Sequence, residues 1–230
     1  MNKELKHQSL QDVSLIIATY NEEESLGHVL DELKQFELGE IIIVDGNSTD
    51  NTKAIANKYD VKFVLQSKKG WGSAVKEGIN LASLPFITYM DGDGSYNPKA
   101  LKEMRSLIDN YDAVFCSRYK DGAKSLDDTP IRALGNKIFT KLVKLSFGPK
   151  ISDALFFYPM FKKTILNNIN LDSSDFTLCL ELPVKVHDNG LKYIEILSEE
   201  RERYAGVTKV NAFFDGLQIL FGIIDLKRKI

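Results

Sequence analysis

The chain has 230 residues, 43% of them hydrophobic and 27% charged, with a formal net charge of −2. That length suits one domain or one and a half, and it is enough to bury a two- or three-layer core. The near-neutral balance excludes a global field that would draw the chain to nucleic acid, and the spacing of its two cysteines, Cys116 and Cys179, makes neither a disulfide framework nor a zinc site.

Residues Met1 to Asp12 are polar and lack the apolar core of a signal peptide. Then come short apolar runs bounded by turn residues: Val13–Ala18, Ile41–Val44, Val61–Leu65, Phe86–Met90 and Ala113–Cys116. Such runs predict buried strands. Helical spacing lies between them. Leu26, Val29, Leu30, Leu33 and Phe36 form one face; Ala54, Ile55 and Tyr59 form a second, after the Ser48–Asp50 turn. Ala74, Val75, Gly78, Ile79 and Ala82 predict a third helix; Leu101, Met104, Leu107 and Ile108 predict a fourth, opened by Pro98. Alternation at this pitch predicts a parallel α/β sheet. The second half is less regular. Lys120–Pro130 reads as a mobile polar loop, Ile131 to about Phe147 as a helix, and Val210–Ile230 as an apolar helix ending in Lys227, Arg228 and Lys229. The run Leu217–Ile224 is too short to span a bilayer, so the catalytic part is expected not to be an integral membrane protein. Cys116 sits in an apolar run and reads as a buried thiol, which fits a reducing, cytoplasmic setting.

Open parallel sheets bind ligands beyond the carboxyl ends of their strands. Three polar motifs stand there: Thr19-Tyr-Asn-Glu22, Asp45-Gly-Asn-Ser48 and Asp91-Gly-Asp-Gly-Ser95. The last is the sharpest. Carboxylates at i and i+2 after a buried strand can face one hard cation, with oxygen ligands suited to magnesium or manganese. The same residues also read as a plain turn, or as the Asp-x-Asp-Gly-Ser/Thr motif of aspartyl phosphatases with Asp91 as nucleophile. A calcium loop fails, because Tyr96 and Lys102 occupy positions that need glycine and glutamate. Asp45 can accept hydrogen bonds from a ribose or base, or cap the next helix. Gly70 and Gly72 open the third helix and would let backbone N–H groups approach a ligand, while Trp71 between them suits packing or binding equally. Arg118 at the end of the fifth strand, Arg132 at a helix start, and Arg203 and Lys209 around Gly206 suit phosphate. His7, His28 and His187 have no ligand spacing.

Taken together, these residues resemble family 2 glycosyltransferases, in particular the dolichol-phosphate mannosyltransferase-like branch. Thr19–Glu24, Ile43–Asp50, Gly70–Ala74 with Gly78, and Asp91–Asp93 stand in the order of that family's loops. Cys116–Tyr119, Glu199–Arg203 through Gly206–Asn211, and Asp215-Gly216 resemble its later segments. The resemblance covers about Val13 to Leu220. It implies a GT-A type, Rossmann-like, mostly parallel sheet flanked by helices, with a C-terminal helical extension. The expected units are 1–209, with a donor-binding half over about 13–118 and an acceptor-side half over about 119–209, then an amphipathic helix over 210–230.

By position, the resemblance puts Thr19, Tyr20, Glu22, Asp45, Gly70, Gly72 and Asp91 at the donor. It puts Asp91, Asp93 and Ser95 at a divalent metal, Mg2+ or Mn2+. Asp93, Arg118, Arg132, Arg203 and Asp153 become the catalytic set. The implied activity is inverting transfer of one hexose from a GDP- or UDP-sugar to a polyprenyl phosphate met at a membrane surface, with a homodimer as a further expectation. Alternatives are a hydroxyl acceptor in cell-envelope glycan or glycolipid synthesis, an aspartyl phosphatase, and a non-catalytic sugar-nucleotide binder. A phosphate acceptor is already anionic near neutral pH, with a second pKa of ~6, and needs little base help. A hydroxyl acceptor needs a base, for which Asp153 and Glu181 are the candidates. Ser95 stands where some members carry a metal-assisting glutamine, and Phe156-Phe-Tyr158 replaces a Gly-containing acceptor element. The Gln-x-x-Arg-Trp motif of processive synthases is absent, since Trp71 is the one tryptophan.

Overall fold

A computed structural model of the chain describes residues 9–123, 125–206 and 212–230. Lys209, His7 and the Val207–Asn211 part of the family-like segment lie outside the described residues. The five expected strands form as β1 (Val13–Thr19), β2 (Glu40–Asp45), β3 (Lys62–Leu65), β4 (Phe86–Asp91) and β5 (Ala113–Ser117). The expected helices form as α1 (Leu26–Leu33), α2 (Thr52–Ala56), α3 (Trp71–Leu81), α4 (Lys99–Ile108) and α5 (Pro130–Phe147). Helix α5 has complete end chemistry. The Thr129 hydroxyl accepts from the Arg132 N–H, Pro130 occupies the first turn, and Gly148 closes the helix at φ +85°.

Three further elements come from the less regular half: β6 (Pro159–Lys162), α6 (Leu178–Asp188) and β7 (Tyr193–Leu197). Strand β6 has four residues and starts on a proline, a position where a missing N–H does no harm. Helix α6 is buried along residues 178–186 and contains Pro183, so it shows no amphipathic stripe. The last helix, α7, covers Ala212–Lys229.

The sheet order is β3-β2-β1-β4-β6-β5-β7. Strand β6 runs antiparallel between β4 and β5, and the other pairings are parallel. The register sets Ala18 beside Asp91 and Thr19 beside Asp45, so three strands end level at one edge of the sheet. Alternating side chains then feed two cores. Ile16, Val44, Tyr89 and Phe115 face α3, α5, α6 and α7. Leu15, Ile17, Ile43, Met90 and Cys116 face α1 and α4. Both cysteines are buried, and burial pushes their thiols well above the usual range. No helix among the described residues is long and apolar enough to cross a membrane.

Helix α3 lies unusually close to β1. A Cβ at Gly78 would stand 2.4 Å from Ile16 Cγ2, and Ile16 is fully buried. Gly78→Ala should therefore destabilise. The gain in helix propensity of about 1 kcal/mol is outweighed by overpacking of about 1–3 kcal/mol. In urea the midpoint should fall with an unchanged slope; a raised midpoint would show that this contact is slack.

Candidate active site

The level ends of β1, β2 and β4 open onto a cleft of about 880 Å³, a size suited to a small-molecule ligand. Ten of the sequence-nominated residues line it: Thr19, Tyr20, Glu22, Gly70, Asp91, Asp93, Ser95, Arg118, Arg132 and Arg203.

Asp91 is the last residue of β4, and its Oδ1 accepts a hydrogen bond from Trp71 Nε1 at 2.8 Å. Asp93 is buried. Its Oδ1 accepts from the Ser95 N–H at 3.0 Å and from Ser95 Oγ at 2.8 Å, and its Oδ2 pairs with Arg203 Nη1 at 2.9 Å. Ser95 thus orients Asp93. Burial, and then the charge of Asp93, push the Asp91 carboxyl up to about 7, against the pull of the Trp71 N–H.

Arg203 is delivered by backbone clips. Arg201 N–H donates to the Ser95 carbonyl at 2.8 Å, and Tyr204 N–H donates to the Asp93 carbonyl at 2.9 Å. Gly94 between them has φ +83°, and a Cβ there would meet Tyr204 Cβ at 2.9 Å; this turn needs glycine for both reasons. Arg201 anchors the segment on α1 through Glu32, at 2.8 and 2.9 Å. Tyr204 stacks on His28 with ring centroids 3.9 Å apart.

Several nominated residues have other duties. The Asp45 carboxylate does not line the cleft; it accepts from Thr19 Oγ1 at 3.0 Å, from Ser48 N–H at 2.8 Å and from Ser48 Oγ at 2.6 Å. Asp45 thus tethers the 46–48 turn and does not cap α2, whose first N–H at Thr52 is met by Asp50. Gly70 and Gly72 are required by a neighbouring chain segment. Cβ atoms there would stand 2.2 Å from the Ser174 carbonyl oxygen and 2.6 Å from that of Asp175. The Ser73 N–H donates to the Ser174 carbonyl, and Gly70 also lines the cleft.

Arg118 is buried and fully engaged. It meets Asp153 at 2.7 and 3.0 Å and Glu200 at 3.3 Å. Asp153 is spent on that pair and lies off the cleft wall. Glu181, the other nominated base, pairs with Lys185 at 2.7 Å and accepts from the backbone of Asp172 and Ser173. Neither carboxylate is placed as a base in the cleft.

The stretch expected as a mobile loop is tied down at its described residues. Ser125 binds Glu200, Tyr119 binds Asp128, and Arg132 pairs with Asp127 at 3.1 Å. Its partners come from residues 200–203, far along the chain, and from the adjoining α5. Sequence reasoning missed Glu200 and Asn136, which line the cleft, and Gly94 and Arg201, which shape it. It singled out Phe156-Phe-Tyr158 but missed the rest of the apolar end that Phe156 and Phe157 form with Phe139, Leu155, Phe176 and Ile219. Trp71 lines the cleft and packs, its ring lying against Phe157 and Phe176 while its N–H holds Asp91.

Known proteins resemble this arrangement. The family described as Glycosyl transferase family 2 matches residues 14–169. Dolichyl-phosphate hexose transferase of Haloferax volcanii is 29% identical over 221 residues, covering 95% of each chain. Glycosyltransferase AglJ of the same organism is 29% identical over 185 residues, covering 78% of this chain and 60% of that one. The chain thus spans less than two thirds of one relative and nearly all of the other. Glucosyl-3-phosphoglycerate synthase from Mycobacterium tuberculosis, in a crystal structure with Mn2+, UDP and phosphoglyceric acid, matches with a TM-score of 0.74 at 15% identity. That match covers 94% of this chain and 78% of that one, and it shows the likeness of fold.

Two outcomes follow from this geometry. The folded protein holds the Asp91 proton up to about 7, against 3.8 ordinarily, so ionising Asp91 removes stability as pH rises through that window. Asp91 keeps some contact with solvent at the cleft. In chelator-treated protein, Asp91→Asn should therefore gain only about 1–2 kcal/mol at about pH 8, and little near pH 4. An equal gain at both pH values in thermal melts would contradict the shift. Asp153→Asn should cost about 3 kcal/mol or more by leaving Arg118 buried beside Glu200 alone. A parent-like denaturation curve would show the pair to be dispensable.

Proposed function

The chain belongs to glycosyl transferase family 2, has a GT-A fold and is a glycosyltransferase; from that premise we propose that it transfers one hexose, with inversion, from a nucleotide-diphosphate sugar to a polyprenyl phosphate of the dolichyl type. The observation that carries the reading is the Asp91–Asp93 pair. Two carboxylates end a parallel strand inside a cleft, with Arg203 beside them.

The pair fits a divalent ion, Mg2+ or Mn2+. Its raised Asp91 value marks negative charge that a cation would relieve. Among the described residues no third His, Cys, Asp or Glu converges on the pair. Remaining coordination would come from diphosphate oxygens and water, the usual pattern for magnesium. A similar fold binds Mn2+ together with UDP, which supports the same ion here. When bound, the ion would neutralise charge on the leaving diphosphate.

The protein groups divide the substrates between them. Thr19, Tyr20 and Glu22, with Asn47 and Gln66, form the wall nearest the β1 and β2 ends, where the nucleoside belongs. Asp45 contributes by holding that wall through Thr19 and Ser48. Trp71 aims Asp91, and Ser95 aims Asp93. Arg203 and Arg132 are partly exposed at the cleft and suit phosphate oxygens, as does the exposed Lys69 on the same cleft. Arg118 supports that wall through Asp153 and Glu200.

The acceptor reading has its own support. The nominated bases Asp153 and Glu181 are both consumed by cations and backbone N–H groups. A hydroxyl acceptor would lack their help, whereas a phosphate acceptor needs none. The apolar end of the cleft, with Phe139, Phe157, Phe176 and Ile219, suits the first isoprene units of a lipid met at a membrane surface. The full-length similarity to a dolichyl-phosphate hexose transferase agrees with it.

A thermal-shift screen of UDP, GDP and their sugars with Mn2+ tests the donor half. One nucleotide should raise the melting point only with metal, by an amount equivalent to about 2–3 kcal/mol at a hundredfold excess over its dissociation constant. Asp93→Ala should abolish the shift and lower transfer to a prenyl phosphate by at least about a hundredfold. Full transfer by that variant, or no shift with any nucleotide, would refute the reading.

A further inference from the structure

One wall of the cleft is supplied by no strand. Between the end of β3 and the start of α3 the chain makes a short arm, residues 66–70, and Gln66, Ser67, Lys69 and Gly70 all line the cleft. The arm begins beside the nucleoside wall. Its Gln66 N–H donates to the Asp45 carbonyl at 2.8 Å, and a Cβ on Gly46 would meet Gln66 Oε1 at 3.3 Å. It ends at Trp71, whose N–H holds Asp91. Lys69 therefore stands between the place of the nucleoside and the paired carboxylates, where a diphosphate would pass. Its side chain is exposed and makes no ion pair among the described residues.

An arm this short and polar has no core of its own. Ser67, Lys68 and Lys69 are exposed, and such loops stay ordered only where something ties them. One side chain does so from outside the cleft. Glu77, in the second turn of α3, lines no part of the cleft. Its Oε1 accepts from the Ser67 N–H at 3.0 Å, from Ser67 Oγ at 2.9 Å and from the Lys68 N–H at 3.1 Å. Its Oε2 accepts from the Ser67 N–H at 2.9 Å. Gln66 Nε2 closes the arm from within by donating to the Lys68 and Gly70 carbonyls. Partial burial pushes the Glu77 carboxyl up, but the Ser67 and Lys68 donors outweigh it and leave the group below its usual range.

We propose that Glu77 is a positioning residue for the donor: by clasping the backbone at Ser67 and Lys68 it fixes the arm, and so holds Lys69 against the diphosphate of a bound nucleotide. Hydrogen bonds to an ionised carboxylate are the stronger kind, and these constrain consecutive residues of one loop. A loop already ordered in the free protein loses little further freedom on binding, which favours affinity. Without Glu77 the nucleotide itself would have to order the arm. The dependence on Lys69 separates this role from a purely stabilising clip. If Glu77 acts by placing Lys69, the two residues cannot contribute independently to binding. The inference rests on the nucleotide-sugar reading, and its test distinguishes the two.

The test is calorimetric titration of the full chain with UDP and with GDP, each in the presence of Mn2+. Glu77→Ala should weaken whichever nucleotide the parent binds by about tenfold. Lys69→Ala should weaken it by about fivefold. The double variant should bind about as weakly as Glu77→Ala alone, because a lysine on a loosened arm has little left to lose. Glu77→Gln keeps one acceptor oxygen and should limit the loss to about threefold. Melting of the nucleotide-free variants is followed in parallel. Should Glu77→Ala melt below the assay temperature, Glu77→Gln carries the same comparison with Lys69→Ala. Parent-like affinity of the Glu77 variants overturns the proposal. So does a double variant whose loss is the product of the two single losses, about fiftyfold, since Glu77 and Lys69 would then act apart. A parent that binds neither nucleotide sinks the transferase reading and this inference with it, whereas a parent that binds beside equally tight variants sinks the positioning role alone.

Discussion

Two carboxylates two residues apart, in a partly enclosed cleft, repel one another and lose hydration. Such a pair persists only where surrounding groups hold it, and much of this fold converges on that task. Helix α3 brings the Trp71 N–H to Asp91; the turn after β4 brings Ser95 to Asp93. Arg203 arrives from more than a hundred residues later, between two backbone clips on the same turn. Glycine at position 94 is what lets that later segment come close enough. The remaining strain is visible as the raised Asp91 value. A site left in this condition favours a cation and the anionic ligand that completes its shell.

The other arginines show why charge at an element end is a poor guide to role. Arg118 and Arg132 both stand at such ends, and both face acidic partners. Arg118 is sealed between Asp153 and Glu200 and braces the junction of β5 with the 198–200 segment. Arg132 stays partly open at the cleft while steadying the 127–128 turn. The difference is burial: desolvated guanidinium must be paired to be tolerated at all, whereas a partly solvated one can exchange a carboxylate for a phosphate.

The cleft is polar at the sheet edge and apolar between α5, α7 and the Phe156–Phe157 segment. That division matches a substrate pair in which the donor is a nucleotide and the acceptor carries hydrocarbon. It also links the interior of the site to its exterior. Helix α5 turns Phe139 inward and Ile138 outward, so one helix lines the cleft and carries exposed apolar side chains.

Local chemistry sufficed for the first five strands, for α1 to α5 and for the three polar loops at the sheet edge. Buried runs, helical spacing and turn residues act over a few positions, and the register of parallel strands then lines up their ends. The family resemblance rested on those loops and on the later arginine segment, and it too was legible in the chain. Strands β6 and β7 and helix α6 were not, because a proline-started four-residue strand and a helix buried on all sides carry no periodic signal. Roles within the site also had to wait for tertiary structure. Asp153, Glu181, Asp45 and the glycines at 70 and 72 have the right chemistry for a ligand, but other groups reach them first: distant ones at Asp153 and the glycines, a nearby lysine at Glu181, and both kinds at Asp45. Which polar group faces a substrate is decided by which others are already satisfied, and several of those partners, such as Arg118 for Asp153 and Thr19 for Asp45, lie tens of residues away, beyond any local pattern.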